Sequence, residues 1–144
     1  MAHLELIITT PEREVLRRPV ESLSVPTVDG EITVLPQHVP LTAVLKAGEM
    51  IIRHDGKAEP YAIGGGFIEV QPNKVVILAD TAEHVVEIDE QRVQEAIARA
   101  EKTKQEMSKE HVDYARMAAK LERDLARLRV VKKHRSHTQP HIGP

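Results

Sequence analysis

The sequence predicts an α+β protein, in which an N-terminal antiparallel β-sandwich is followed by a C-terminal antiparallel hairpin of two helices. Up to Ile88, short apolar runs recur between turn residues, as in a protein of many short strands. From Asp89 to Val131 there is neither proline nor glycine, and the apolar residues follow the helical period. The predicted boundaries are a sandwich over residues 1–87, a helical hairpin over 88–132 and a disordered tail over 133–144.

The predicted strands are separated by glycine and proline turns. Asp29-Gly30 and Asp55-Gly56 each lie between apolar runs, and this dipeptide favours the tight turn of a β-hairpin. Gly64-Gly65-Gly66 is interpreted as a bend or bulge where backbones approach closely. The apolar runs are Leu6-Ile7-Ile8, Leu23-Ser24-Val25, Ile32-Thr33-Val34, Met50-Ile51-Ile52, Phe67-Ile68-Glu69-Val70 and Val75-Val76-Ile77-Leu78.

The two predicted helices have thin, alanine-rich apolar stripes. Asp89 is expected to cap the first helix, and Ser108, after a polar break, the second. Alanine burial stabilises far less than the roughly 1.5–3 kcal/mol of a buried valine or leucine, so we expect this hairpin to dock on another surface and to be mobile. The first stripe is Val93, Ala96, Ile97 and Ala100; the second is Val112, Ala115, Ala118, Ala119, Leu121, Leu125 and Leu128.

Composition argues against several functions. With 20 basic and 22 acidic residues and 2% aromatics, the chain lacks the basic, aromatic-rich face of a nucleic-acid binder. It has no cysteine, no P-loop and no nucleophile elbow, so no catalytic residues are expected. No segment approaches the roughly 18 apolar residues of a membrane span, and the N-terminus is unlike a signal peptide, which favours a soluble intracellular protein. His134, His137 and His141 lie in a segment predicted to lack a scaffold, so no metal site is expected.

Three stretches carry a family resemblance. Residues 30–45 begin Gly-Glu-Ile-Thr-Val-Leu-Pro-Gln-His-Val-Pro-Leu, residues 65–83 contain Gly-Gly-Phe-Ile-Glu-Val and Leu-Ala-Asp-Thr-Ala-Glu, and residues 112–130 run from Val-Asp-Tyr-Ala to Ala-Arg-Leu-Arg-Val. Together, in this order and spacing, they resemble the epsilon subunits of F-type ATP synthases over about residues 4–131. The alternative is an unrelated, non-enzymatic adaptor with a similar fold, which would not explain three motifs in family order.

The resemblance implies a non-catalytic subunit of the rotary central stalk. The sandwich would bind the gamma subunit and rest on the ring of c subunits, so membrane contact would come only through the complex, at the cytoplasmic face of the bacterial plasma membrane. The prolines on either side of Gln37-His38-Val39 would stiffen a docking loop. The implied contact residues are Glu31, Pro36, Gln37, His38, Val39 and Leu41.

The resemblance also implies two roles for the helices. Family hairpins fold down on the sandwich or extend toward the catalytic beta subunits, and the alpha subunits beside them, where they inhibit ATP hydrolysis. The basic residues suited to this are Arg116, Lys120, Arg123, Arg127 and Arg129. No cofactor is required, but some members bind a regulatory ATP through a motif that reads Ile88-Asp89-Glu90-Gln91-Arg92-Val93 here, with Val93 in place of the usual alanine. The implied ATP contacts are Glu83, Asp89, Arg92, Arg99, Arg123 and Arg127.

Overall fold

The computed structural model describes residues 3–138, with the side chains of residues 136–138 excepted. Eight strands and a 3-10 turn precede two helices, α1 (Glu90–Glu106) and α2 (Tyr114–Thr138). The strands are β1 (Leu4–Thr9), β2 (Glu14–Val20), β3 (Ser22–Thr27), β4 (Gly30–Val34), β5 (Leu41–His54), β6 (Lys57–Val70), β7 (Lys74–Ala79) and β8 (Ala82–His84), and the 3-10 turn is Val85–Glu87. The α+β sandwich and hairpin are therefore confirmed.

The sandwich is one folded sheet with the strand order β2-β1-β7-β6-β5-β3-β4, and β8 pairs with β6. The long strands β5 and β6 form a hairpin through Asp55-Gly56, and both turn residues have positive φ, as this turn type requires. One expectation needs correction: β1 and β7 run parallel, so the sheet is not wholly antiparallel. Sequence analysis also missed β2, an edge strand that pairs only with β1 and tolerates Pro19 for that reason.

The three consecutive glycines lie where β6 changes partners, from β8 before Gly64 to β7 from Gly66 onward. Gly65 and Gly66 have φ values of +104° and +128°, which side-chain-bearing residues rarely adopt. A Cβ atom on Gly66 would collide with the Leu78 carbonyl and lie 2.9 Å from the Ala79 Cα atom. The predicted bend is thus confirmed, and it requires glycine because the neighbouring backbone leaves no room.

The helices pack as an antiparallel pair. At one end Arg135 of α2 bonds to Glu90 of α1 at 2.9 Å; at the other, the Lys104 ammonium lies over the Tyr114 ring. Asp89 caps α1 as predicted, since its Oδ1 accepts from the Arg92 amide at 3.2 Å. This side-chain bond satisfies one of the amides that the first helical turn leaves open.

The start of α2 differs from the prediction. The Ser108 hydroxyl accepts from the Glu110 amide at 3.3 Å, but a series of turns follows and α2 begins only at Tyr114. The reason is local: the His111 ring accepts from the Asp113 amide at 3.1 Å, which offers that amide a partner outside a helix. Val112 is consequently 90% exposed and does not belong to the apolar stripe.

The C-terminal boundary also differs. Residues 133–138 were predicted to belong to a disordered tail, but α2 continues through Thr138. Contacts of Lys133, His134 and Arg135 with the rest of the protein hold this extension, although the segment lacks a full apolar stripe. The remainder of the predicted tail, residues 139–144, lies outside the described residues.

Candidate functional site

The hairpin docks on the sandwich through a straight row of three residues. Glu49 of β5 is directly opposite Ala62 of β6, which is directly opposite Glu83 of β8, so the three share one face of the sheet. α2 lies against this face. Ala62 and Val130 of α2 belong to one buried cluster, and both carboxylates bond to α2. The interface therefore has an apolar centre with an acidic group on each side.

Arg127 is bound at the Glu83 side of the row. Its Nη2 atom donates to Glu83 Oε2 at 3.0 Å, its Nε atom lies 2.8 Å from Oε1, and its Nη1 atom donates to Asp124 at 3.1 Å. Burial alone would lower the pKa of Arg127, but the bonds and charges of Glu83 and Asp124 raise it overall. Asp124 also accepts from Lys120 at 3.0 Å, so one buried carboxylate links two of the predicted basic residues.

Glu49 is bound at the other side. Its Oε2 atom lies 2.6 Å from His134 Nε2, and its Oε1 atom accepts from Lys133 Nζ at 3.0 Å. Burial would raise the pKa of Glu49, but the hydrogen bonds and charges of His134 and Lys133 lower it below the ordinary value of 4.5. The sequence analysis missed both Glu49 and Asp124.

The predicted ATP residues are only partly brought together. Glu83, Arg123 and Arg127 line one cleft of about 270 Å³ between sandwich and hairpin, with Thr81, Ala96, Lys120 and Asp124. Asp89 and Arg92 lie at the start of α1, outside the lining of this cleft, and the Arg92 side chain is 86% exposed. Arg99 is exposed on α1 and is also absent from the lining.

The basic residues of α2 divide into two groups. Arg116 and Arg129 are exposed, whereas Lys120 and Arg127 form ion pairs with Asp124 and Glu83. Arg123 is half-buried, its aliphatic part is close to Gly64, and it forms no ion pair with any described residue. In the docked hairpin, Arg123 and Arg127 are therefore turned toward the sandwich, whereas Lys120 is exposed and paired within α2.

A second surface is an apolar stripe on the outer face of the sandwich, formed by Val28, Val44, Phe67 and Leu78. Val44, Phe67 and Leu78 are directly opposite one another on three strands, and the Val28 amide donates to the Val44 carbonyl. Their exposed fractions range from 44% to 60%, and Phe67 is the only phenylalanine in the chain. Their neighbours Leu45, Ile68 and Ile77 point inward and are buried, so strand alternation predicts polar residues where the stripe lies. An exposed apolar group of this kind indicates a contact surface.

The predicted docking loop is held in place by the turn between β6 and β7. The Gln37 amide donates to the Pro72 carbonyl at 2.7 Å and its side chain to Asn73 at 2.8 Å, which fixes Gln37 at a positive φ of 68°. The His38 ring bonds to the Val39 carbonyl at 2.7 Å. Pro36 lies between Leu35 and this anchored residue, and Leu35 and Val39 are 56% and 71% exposed.

Two predicted contact residues do not share this loop. Leu41 begins β5 and packs against the sandwich core. Glu31 is exposed near the start of β4, whereas the loop begins after the end of that strand. Glu31, predicted to lie in a separate turn, is therefore divided from the loop by the length of β4.

Among the described residues, no group of three or more potential ligands could hold a metal ion. Of the three tail histidines, His134 bonds to Glu49, and the His137 side chain and His141 lie outside the described part. No helix in the described part has the length and apolar character needed to cross a bilayer.

The fold and its internal interface define a class of small two-part proteins, in which a β-sandwich carries a C-terminal helical hairpin docked by ion pairs. Two family models cover the chain: residues 3–85 match the β-sandwich domain of the ATP synthase delta/epsilon chain, and residues 87–132 match its long α-helix domain. The chain belongs to the ATP synthase epsilon chain family, which excludes the unrelated adaptor.

Relatives support this assignment over nearly the whole chain. The ATP synthase epsilon chain of Chloroflexus aggregans is 46% identical over 92% of this chain and 94% of that protein. The epsilon chain of Herpetosiphon aurantiacus is 44% identical over 92% and 97%. A chain in the Euglena gracilis mitochondrial ATP synthase structure (OSCP/F1/c-ring) has a TM-score of 0.69 at 23% identity, covering 96% of this chain and 83% of that one. The last likeness supports the fold.

Proposed function

We propose that this chain is a non-catalytic central-stalk subunit of a proton-translocating F-type ATP synthase, which couples the gamma subunit to the c-ring during rotary ATP synthesis. It would lie at the cytoplasmic face of the bacterial plasma membrane and reach the membrane only through the complex. The observation that carries this proposal is the exposed apolar stripe of Val28, Val44, Phe67 and Leu78.

The stripe suits a permanent protein partner such as gamma. Its members come from β5, β6, β7 and the turn before β4, so the folded sheet holds them in fixed positions and docking requires little ordering. Covering apolar area gains roughly 25 cal/mol per Å². The proposed c-ring contact is the loop from Pro36 to Val39 together with the exposed Leu35. Two hydrogen bonds from Gln37 to the β6–β7 turn keep this loop rigid.

Binding to purified gamma tests the stripe directly. Val44→Lys places a charge in the middle of the stripe and should weaken binding at least ten-fold, measured by calorimetry or gel filtration. Val86→Lys is the matched control, because Val86 is 78% exposed outside the stripe and should leave binding unchanged. Equal affinity of Val44→Lys and the unaltered protein would exclude the stripe as the gamma contact.

We further propose that the hairpin inhibits ATP hydrolysis when it leaves the sandwich. Docking pairs Arg127 with Glu83 of the sandwich and packs Arg123 against Gly64, whereas Lys120 is paired with Asp124 of α2 itself. Release would offer Arg123 and Arg127 to acidic loops of the catalytic beta subunits, and of alpha, in addition to the exposed Arg116, Lys120 and Arg129.

A cleavable cross-link tests this role. The chain has no cysteine, so Glu49→Cys with Lys133→Cys provides a single pair across the interface for a short reducible cross-linker. In the assembled complex, cross-linking should raise ATP hydrolysis and reduction should restore the lower rate. Each single variant, treated in the same way, controls for modification alone. Hydrolysis that does not respond to the cross-link would contradict inhibition by the released hairpin.

The ATP site is a separate proposal that rests on the shared cleft of Glu83, Arg123 and Arg127. Arginine pairs of this kind bind phosphate oxygens. The cleft of about 270 Å³ is below the roughly 300–1,000 Å³ usual for drug-sized ligands, so we expect only the phosphates to lie among these residues. Arg123, which has no described ion pair, would be the principal phosphate contact.

Calorimetry with ATP on the isolated chain tests this site. Arg123→Gln should weaken binding about ten-fold, as expected for loss of a charge-assisted bond. Arg116→Gln, on the same helix but exposed, should bind like the unaltered protein. No heat at millimolar ATP would exclude the site in this protein.

A further inference from the structure

The interface between hairpin and sandwich contains a histidine bonded to a carboxylate. His134 Nε2 lies 2.6 Å from Glu49 Oε2, and the two side chains are only 30% and 17% exposed. Imidazole is the side chain whose charge ordinarily changes between about pH 5 and 8. A change in the charge of His134 therefore acts directly on a bond that joins α2 to β5.

The position of His134 is fixed by a geometric match between helix and sheet. Arg127 and His134 are seven residues apart, so α2 advances about 10.5 Å between them. Their partners Glu83 and Glu49 are two strands apart, a separation of about 9.6 Å. α2 can therefore reach both carboxylates at once, and each ion pair contributes to its docking.

Several elements packed against α2 carry charged groups. On β5, Glu49 accepts from Lys133 as well as from His134. On β8, Glu83 is paired with Arg127, and on α1, Glu90 is paired with Arg135. On β6, Glu59 is paired with Arg18 and His54, and Glu87 of the 3-10 turn is exposed. Glu49 is the carboxylate in direct contact with His134.

We propose that His134 and Glu49 form a pH-sensitive latch: protonation of His134 holds the hairpin on the sandwich, and deprotonation favours its release. An imidazolium bonds to a carboxylate more strongly than neutral imidazole does, because the bond then joins opposite charges. The regulatory consequence rests on the inhibitory hairpin proposed above, but the latch itself concerns only the position of the hairpin.

The expected pH dependence of docking comes from two groups, His134 and Glu49. The latch predicts weaker docking at pH 8.5 than at pH 5.5, because a protonated His134 would add a second cation beside Lys133 at Glu49. The pKa of Glu49 is lowered, so its contribution to docking is fully present above pH 4.5 and is lost as the pH falls further. For a partly exposed pair we expect the ratio of docked to undocked hairpin to fall about three-fold from pH 5.5 to 8.5.

Single-molecule energy transfer on the full isolated chain measures this ratio. Glu69→Cys on the sandwich and Lys102→Cys on α1 are both exposed positions for dyes, and the chain has no other cysteine. The unaltered protein should show the three-fold change in the ratio of docked to undocked hairpin. His134→Gln should remove this change, because glutamine retains a donor but cannot titrate. The control His111→Gln, in the exposed connection between the helices, should keep the full response.

Two results would overturn the latch: a docked fraction that does not change with pH, or a His134→Gln variant that retains the three-fold change. If undocked molecules are too few to count, the urea concentration that separates hairpin from sandwich replaces the ratio, and it should fall with rising pH only while His134 is present. Because this test involves neither ATP hydrolysis nor gamma, its failure is distinguishable from failure of the proposed function.

Discussion

The sandwich core and the hairpin interface differ in the contacts that stabilise them. Among the described residues, the sandwich core contains 18 buried side chains from all eight strands, mostly leucine, isoleucine and valine. The interface cluster contains nine, including Ala62 and Ala100, and it is flanked by the ion pairs of Arg127 and His134. Apolar burial stabilises strongly, whereas partly exposed ion pairs contribute little net energy. The difference predicts that the hairpin separates from the sandwich more easily than the sandwich unfolds.

The largest effect should come from a cavity in the sandwich core. Ile77 on β7 is fully buried, so Ile77→Ala should lower the free energy of unfolding by about 2–5 kcal/mol in urea titrations. Leu78, the next residue, is 53% exposed on the stripe, and Leu78→Ala should change stability by less than about 0.5 kcal/mol. A similar cost for both substitutions would mean that the stripe is part of the core.

The sandwich was predictable because its signals are local. Three features each indicate a backbone conformation within a few residues: the alternation of apolar and polar residues, the Asp55-Gly56 turn and the triple glycine. The parallel pairing of β1 with β7 was not predictable, because it joins strands that are far apart in the sequence. The edge strand β2 was missed since its exposed positions and Pro19 weaken the alternation.

A smaller effect is expected at the interface. Arg127→Gln removes the charged contacts with Glu83 and with the buried Asp124, which keeps its bond to Lys120. For this partly exposed group we expect a loss of about 1 kcal/mol in docking, seen as roughly five-fold faster amide exchange in α2. Exchange in β5 to β7 should not change, since the sandwich core does not depend on the hairpin.

Arg129→Gln is the control for this measurement, because Arg129 lies on the same helix and is exposed. It should leave exchange in α2 unaltered. Faster exchange throughout the sandwich in Arg127→Gln would show that the two regions unfold together, which is contrary to a detachable hairpin.

The interface was harder to predict than the core for a physical reason. Asp124 could have been found, because its spacing to Lys120 and Arg127 is that of helical ion pairs. Glu49 could not, because its role depends on a helix that arrives from a distant part of the sequence. The apolar stripe was not predicted either. Phe67 was interpreted as part of a continuous apolar run, whereas its side chain points outward.

The smallest effect compares two carboxylates with similar partners. Glu59 in the sandwich lies 2.7 Å from His54 and 2.6 Å from Arg18, as Glu49 at the interface binds His134 and Lys133. Burial would raise the pKa of Glu59, but the bonds and charges of His54 and Arg18 lower it below 4.5. The stability that Glu59 contributes is therefore present above pH 4.5 and is lost as the pH falls further.

Glu59→Gln should accordingly make sandwich unfolding less sensitive to acid between pH 6 and 3.5, by less than about 1 kcal/mol in urea titrations. Glu49→Gln should leave that sensitivity as it is and alter only the docking of α2, because its partners lie on the hairpin. If Glu49→Gln changed the acid sensitivity of the sandwich as much as Glu59→Gln, the interface would belong to the same cooperative unit as the core. Separate responses would place the boundary of that unit between β5 and α2, where a smaller apolar cluster is flanked by ion pairs.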